Sequence, residues 1–429
     1  MFWSYSNIFI FINILLWLFT FIFYQNRRKY FGAGSLLLLF YLSISVIGLI
    51  LFNHPYTVGD YKDIKLFPFL YLYAMLIIAS LPVLKFKERE ITHIQQPSNR
   101  ALNVIYFIVI IASLLQLGTI VTDFSSGLSR MLLDNSVGSE LYGEMISNYD
   151  KAGDRQIENL PAIISNLTYN ICILLLFYNL TRERKNKYII LGLSISVLLF
   201  ILSSIAMGGR GRAVNTIFTV FITYILLRNL MSDKIRKKVR HIGIIIVSLI
   251  AIPVILITIS RFGGEEDDND YIFYSMQWYY GQAFLNFNNY GLDANGIRNG
   301  DRTASLFKQI IWDDTPKNYL ERREKYSYME MDESVFYTFV GDFTLDYGPY
   351  ISFLIFAGFC LLITSKLKID NQTILFHQLV LLYLVVCICM QGAMSLFPFA
   401  DMGGNLTLIT FILVYFWFKI DYNIQLKKE

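Results

Sequence analysis

The stretch 34–52, GSLLLLFYLSISVIGLILF, decides the architecture, because it carries no charged side chain over its whole length. A helix needs roughly 20 apolar residues to cross a hydrocarbon layer about 30 Å thick, and this run supplies them. Only a helix fits, since an open strand leaves backbone N–H and C=O groups unpaired in lipid. Runs of the same kind lie on both sides of it, at 7–24, 65–84, 101–122, 160–180, 188–207, 213–230, 242–260, 347–364, 374–393 and 405–420. Composition agrees: 55% of residues are hydrophobic and 16% charged, against about 25% charged in soluble chains. Mean hydropathy is +0.46. The expected fold is therefore an all-α polytopic membrane protein of about eleven transmembrane helices with a large helical or loop extracytoplasmic segment.

Loop charge sets the expected orientation. With eleven spans threaded, the clusters Arg27-Arg28-Lys29, Lys85 to Arg89, Arg182 to Lys187, Lys234 to Lys238, Lys366 to Lys368 and Lys427-Lys428 all fall on one side. Cytoplasmic loops hold the excess of Lys and Arg, so that side is the inner one. The N-terminus is then periplasmic and the C-terminus cytoplasmic. The run 7–24 has no basic segment before it and no small-residue cleavage site after it, so it reads as a first span rather than a signal peptide. The linear division is 1–260, a bundle of eight spans; 261–346, an extracytoplasmic loop subdomain; and 347–429, three further spans with a tail.

Net charge is +4, too small to imply a nucleic-acid partner. Cys172, Cys360, Cys387 and Cys389 all sit inside apolar runs and read as small packing residues. The short stretch Gly127 to Leu133 has the spacing of an amphipathic helix lying at the interface.

The polar residues concentrate in a few places. Gly208-Gly209-Arg210-Gly211-Arg212 is the whole connection between two spans. Glycine lets a backbone approach a ligand closely, and arginine offers a planar fork of donors that engages phosphate oxygens in pairs. Arg210 and Arg212 fit a diphosphate clamp, or else snorkel to lipid headgroups. Arg261 adds a cation where the large loop begins. That loop opens on the acidic run Gly263 to Asp270, a solvated strip without the spaced ligands of a calcium loop; no metal or cofactor motif is present. Trp278, Tyr279 and Tyr280 follow, amphipathic rings suited to the headgroup belt or to the faces of sugars. The loop closes on Glu333 and on Gly341-Asp342-Phe343-Thr344-Leu345-Asp346-Tyr347-Gly348. Asp342 and Asp346 are four apart and share a face of a helix. Each carboxylate is a candidate general base or a helix cap.

The layout, the long outer loop before the last three spans, the Gly-Arg turn after Met207 and the Gly341 to Gly348 stretch together resemble Wzy-type oligosaccharide repeat unit polymerases, which build O-antigen or capsule. The resemblance implies a bundle like that of the GT-C glycosyltransferases in a bacterial inner membrane. It implies an inverting, metal-independent glycosyltransferase without cofactor, which moves a glycan from one undecaprenyl-diphosphate-linked oligosaccharide to another. The partners it implies are that donor and acceptor, membrane lipid and a chain-length regulator. In that reading Arg210, Arg212 and Arg261 hold donor diphosphate, while Glu333, Asp342 and Asp346 compete as the base. Trp278, Tyr279 and Tyr280 hold glycan, and Arg298, Arg302, Arg322 and Arg323 either hold acceptor diphosphate or balance the acidic loop. Two other readings share the plan. A lipid-linked oligosaccharide flippase would show charges inside several spans, which are scarce here, and an O-antigen ligase differs only in its acceptor.

Overall fold

The computed structural model describes residues 4–133, 159–206, 209–262, 269–312, 315–331, 335–367 and 372–427. Fifteen helices follow in chain order: α1 Tyr5–Arg28, α2 Ala33–Phe52, α3 Leu66–Lys85, α4 Asn99–Leu114, α5 Leu117–Leu133, α6 Leu160–Thr181, α7 Lys187–Ala206, α8 Arg210–Leu227, α9 Asp233–Phe262, α10 Asn269–Tyr290, α11 Ser305–Ile311, α12 Tyr319–Lys325, α13 Thr338–Lys366, α14 Phe376–Gln391 and α15 Asp401–Leu426. Among the described residues nine helices are long and apolar enough to cross a membrane, and α4 with α5 makes a tenth as a pair bent by 42°. The 16-residue α14 stands where the run 374–393 is expected to span. The chain is an all-α polytopic membrane protein.

Two expectations are refined. The Gly127 to Leu133 stretch is the end of α5 rather than a separate helix, and Gly127 packs so closely on the Ala206 carbonyl that a Cβ would lie 2.9 Å from it. The run Tyr271 to Phe284 belongs to the 22-residue helix α10, inside what the sequence presents as a loop.

Packing groups the chain into two compact units, each drawn from several of the linear segments. The first holds Met1–Lys87, Phe273–Lys368 and Leu384–Leu408. Trp17 of α1 is fully buried and meets Tyr41 and Tyr73 edge-on at 4.9 and 4.8 Å. Polar groups tie these helices where hydrophobicity cannot, since lipid is as apolar as leucine. Asn13 donates to Ser45 at 3.1 Å, and Asn7 and Asn53 exchange hydrogen bonds at 2.9 and 3.0 Å. Helix α10 crosses α2 where Gly281 faces Gly48, and its Phe284 reaches Trp17 at 6.4 Å. At its end Asn288 accepts from the Lys65 amide and donates to the Lys65 carbonyl. The Arg28 side chain donates to the Leu84 carbonyl, so the ends of α1 and α3 that carry basic clusters lie together.

The second unit holds Glu88–Ile272, Ile369–Tyr383 and Ile409–Glu429. Ile201, Ile205, Ala213, Ile250 and Ile257 form its buried apolar cluster. Two short strands, β1 His93–Gln95 and β2 Thr373–Leu375, pair in parallel in the register His93 to Thr373. They lie just before helices α4 and α14 and join the two segments that lead into them. At the same end Arg182 donates to Asn99, and Ser98 donates to the Asp421 carboxylate through its amide at 2.7 Å and its hydroxyl at 2.5 Å.

Candidate functional site

The polar part of the first unit is organised by a turn, a helix start and a helix break. Asn295, Gly296, Asn299 and Gly300 all have positive φ, a conformation that asparagine and glycine adopt at low cost. A Cβ on Gly300 would lie 2.7 Å from the Tyr347 hydroxyl, so only glycine fits. The double turn aims Arg298 and Arg302 at the first turns of α13. There the chain enters through Thr338, with φ of +69°, and its first amides donate to the Ser395 and Gly392 carbonyls. At Gly348, with φ of +76° and ψ of +166°, the helix breaks before Pro349. Proline lacks the N–H that would continue the ladder, and glycine supplies the turn.

The spacing of Asp342 and Asp346 places both on one face, as expected, and there they meet buried arginines. Arg298 is 1% exposed and both aspartates 0%. Its Nη2 donates to Asp342 Oδ1 at 3.1 Å, and its Nε lies 2.8 Å from Asp346 Oδ1. Arg302 Nε lies 3.1 Å from the same Asp342 oxygen. The buried Tyr337 hydroxyl accepts from both, at 3.1 and 3.3 Å. The other oxygens are taken by neutral donors: Asp342 Oδ2 accepts from the Phe397 amide at 2.6 Å, and Asp346 Oδ2 from the amide and hydroxyl of Thr303 at 2.7 Å each. Burial disfavours the charge on Arg302 more than any single neighbour favours it, but Asp342, Tyr337 and Asp401 together outweigh burial and its pKa is raised. In this arrangement the two carboxylates orient guanidinium groups.

A second layer fixes the turn. Asp301 accepts from Tyr326 at 2.6 Å and pairs with Lys308 and with Lys325, the latter at 3.2 Å. Arg322 pairs with Asp401 at 2.5 Å, and Asn405 donates to the Thr303 carbonyl at 2.9 Å. Burial alone would raise the Asp301 carboxyl, yet the hydrogen bonds from Lys308, Tyr326 and Lys325 hold it below its ordinary 3.8. A depressed folded-state pKa contributes stability that is complete above 3.8 and lost as pH falls through the lower folded value. Protease resistance of the 291–331 segment is therefore expected to hold from neutral pH down to about 4 and to fall below it. In Asp301→Asn the resistance should be weaker at neutral pH and nearly flat across that range.

The other expected site residues are placed as follows. Trp278 joins Tyr274 at 6.0 Å and Tyr61 at 6.2 Å, whereas Tyr279 stands edge-on to Phe336 at 5.2 Å and beside Tyr280 at 5.9 Å. Glu333 and the acidic residues 263–268 lie outside the described residues. Arg210, Arg212 and Arg261 belong to the second unit. The Gly-Arg turn is shorter than expected, for α8 begins at Arg210 behind the N-cap Gly209, and Arg212 is exposed on its first turn. Cations at the positive end of a helix dipole are disfavoured unless an anion or water meets them. Arg261 lies inside α9, one residue before its end.

Arg298 and Arg302 were legible only as undirected loop charges. The signal that marks them is Asn295-Gly296 and Asn299-Gly300, two turn-forming pairs that bracket Arg298 and precede Arg302. Among the described residues no group of three His, Cys, Asp or Glu side chains is arranged to hold a metal. The fold defines a multi-pass helical membrane protein with a polar, ion-paired cap. The chain matches no protein-family model, no curated protein and no solved structure.

Proposed function

We propose that the chain is a glycosyltransferase of the inner membrane that polymerises undecaprenyl-diphosphate-linked oligosaccharide repeat units into O-antigen or capsular polysaccharide at the outer face. The observation that supports this reading is Arg302. Its side chain is 8% exposed, held by Asp342 and Tyr337 through Nε and Nη1, and Nη2 has no hydrogen bond among the described residues. A guanidinium fixed in this way can take a phosphate oxygen without reorganising, which is how a low-dielectric site stabilises a charge. Arg302, backed by Arg298, is assigned to the acceptor diphosphate, and Arg210, Arg212 and Arg261 to the donor diphosphate, where negative charge grows as the lipid leaves. Asp342 and Asp346 act in the first place as positioning residues for the arginines. The carboxylate that receives the sugar hydroxyl proton is drawn from Glu333, Asp342 and Asp346 and is decided by acid-to-amide substitution. Trp278, Tyr279 and Tyr280 are assigned to glycan, and the site needs no cofactor.

Deletion of the gene, followed by gel analysis of surface glycan, separates the rival readings. Loss of a polymerase leaves a single repeat unit on the lipid core; loss of a flippase or ligase leaves none. In complemented cells, Arg302→Lys is expected to lower polymer yield about 100-fold, the order of effect of removing one oriented donor, because lysine cannot reproduce the fork. Wild-type ladders from Arg302→Lys at normal membrane abundance would remove Arg302 from the site.

A further inference from the structure

Beside the helix break, the first unit carries a groove of about 680 Å³ between the start of α3, the end of α10 and the segment of α13 after Gly348. This lies within the range of about 300–1,000 Å³ typical of small-ligand sites. Its walls are Phe67, Pro68, Tyr71, Phe353 and Leu354, with Tyr350 at the side. Phe67, Tyr350 and Leu354 are 67%, 86% and 68% exposed, so the groove opens through the lipid-facing surface. Its rim is polar: Lys65, Asn288, Asn289 and Asp293. Both asparagine side chains are spent on backbone, holding Lys65 and Lys62. The exposed Lys65 ammonium has no ion pair among the described residues, whereas Lys62 is paired with Glu330.

We infer that this groove seats the polyprenyl chain of a phosphate-bearing lipid carrier, with Lys65 at the phosphate and the chain lying along Phe67, Phe353 and Leu354. The inference rests on the function proposed above and names the place where that substrate's lipid part lies. An apolar wall in a membrane is covered by lipid of some kind; two features single out this one. It is concave and built, since Tyr71 donates to the Pro349 carbonyl at 2.5 Å and stacks on Phe287 at 6.2 Å. It is also continuous with the ionic cap. Pro349 follows Tyr347 by two residues, and the Tyr347 hydroxyl meets Thr303, which also donates to Asp346. A carrier whose chain lies in the groove would bring its phosphate to the polar rim at Lys65 and the end of α10, where the polypeptide runs on into the turn that carries Arg298 and Arg302. The rings of Phe67, Tyr71 and Phe353 offer flat contacts to a methyl-branched, unsaturated chain.

Binding of undecaprenyl phosphate to the purified full-length protein, measured by native mass spectrometry with phosphatidylglycerol as competitor, tests this. Leu354→Trp narrows the groove and Lys65→Glu reverses the charge at its rim. Each is expected to weaken undecaprenyl phosphate binding by about tenfold or more. Leu361→Trp, a lipid-facing site on the same helix two turns beyond, is expected to leave it unchanged. Because Leu354 and Lys65 are exposed, the variants should elute and melt like wild type. Equal displacement by phosphatidylglycerol, or wild-type affinity in both groove variants, would overturn the inference. Such an outcome would leave the polymerase reading intact if Arg302→Lys still abolished the ladder. Retained carrier binding in a chain whose deletion leaves surface glycan unaltered would do the reverse.

Discussion

An Asp342→Ala chain is expected to lose the folded cap. The carboxylate is fully buried and stands between two guanidiniums, and its second oxygen holds the Phe397 amide. Removing it leaves Arg298 with Asp346 alone and Arg302 without its ion-pair partner, in a place where the first is 1% and the second 8% exposed. Breaking a buried ion pair by deleting one partner costs about 3–5 kcal/mol, most of it from the uncompensated charge left behind. The Phe397 amide loses its acceptor as well. Purified protein should melt at a clearly lower temperature, and protease should cut the 291–331 segment under conditions that spare wild type. Asp342→Asn keeps an oxygen for the Phe397 amide but loses the charge, and should fall between. The sharper test is a double-mutant cycle. If the damage lies in the stranded cation, Arg302→Leu combined with Asp342→Leu should be less destabilised than Asp342→Leu alone, because Arg298 keeps Asp346 in both. A double variant as unstable as the two single losses added together would put the damage in packing instead of charge.

The same residue shows where sequence reading succeeds and where it stops. The four-residue spacing of Asp342 and Asp346 places them on one face, because helix geometry dictates it. Their partner Arg298 lies 44 residues before Asp342 across a loop, and no local period records such a pairing. The spans were legible for a related reason: bilayer thickness imposes a length and lipid imposes a composition. Even the break between α4 and α5 falls within a single expected span. Helix α10 was hidden because its burial is set by tertiary contact. Its asparagines, glutamines and tyrosines lower its hydropathy below that of a span, yet Ala283, Phe284, Leu285 and Phe287 are buried. The pairing of β1 with β2 joins segments about 280 residues apart, and nothing in either three-residue strand announces the other.

Gly281→Leu should be the most damaging single change in α10. A Cβ at Gly281 would lie 3.0 Å from the Ile47 carbonyl carbon and oxygen and from the Gly48 nitrogen. All three are backbone atoms of α2, which cannot turn aside as a side chain can. Small residues at helix crossings let backbones approach this closely inside membranes, and forcing atoms into such a contact costs about 1–3 kcal/mol or more. The reciprocal site is more tolerant, since a Cβ on Gly48 lies 3.2 Å from the Gly281 carbonyl oxygen and otherwise meets Leu285 at an ordinary 3.9 Å. The expected order of melting temperatures is therefore wild type, then Gly48→Ala, then Gly281→Ala, then Gly281→Leu. Wild-type melting of Gly281→Leu would mean that the two helices do not touch there. The consequence reaches the cap, because α10 ends on Asn288 and Asn289, which hold Lys65 and Lys62. A displaced α10 should lower undecaprenyl phosphate binding even though position 281 lies outside the groove, whereas a purely local clash would lower the melting temperature and leave that binding untouched.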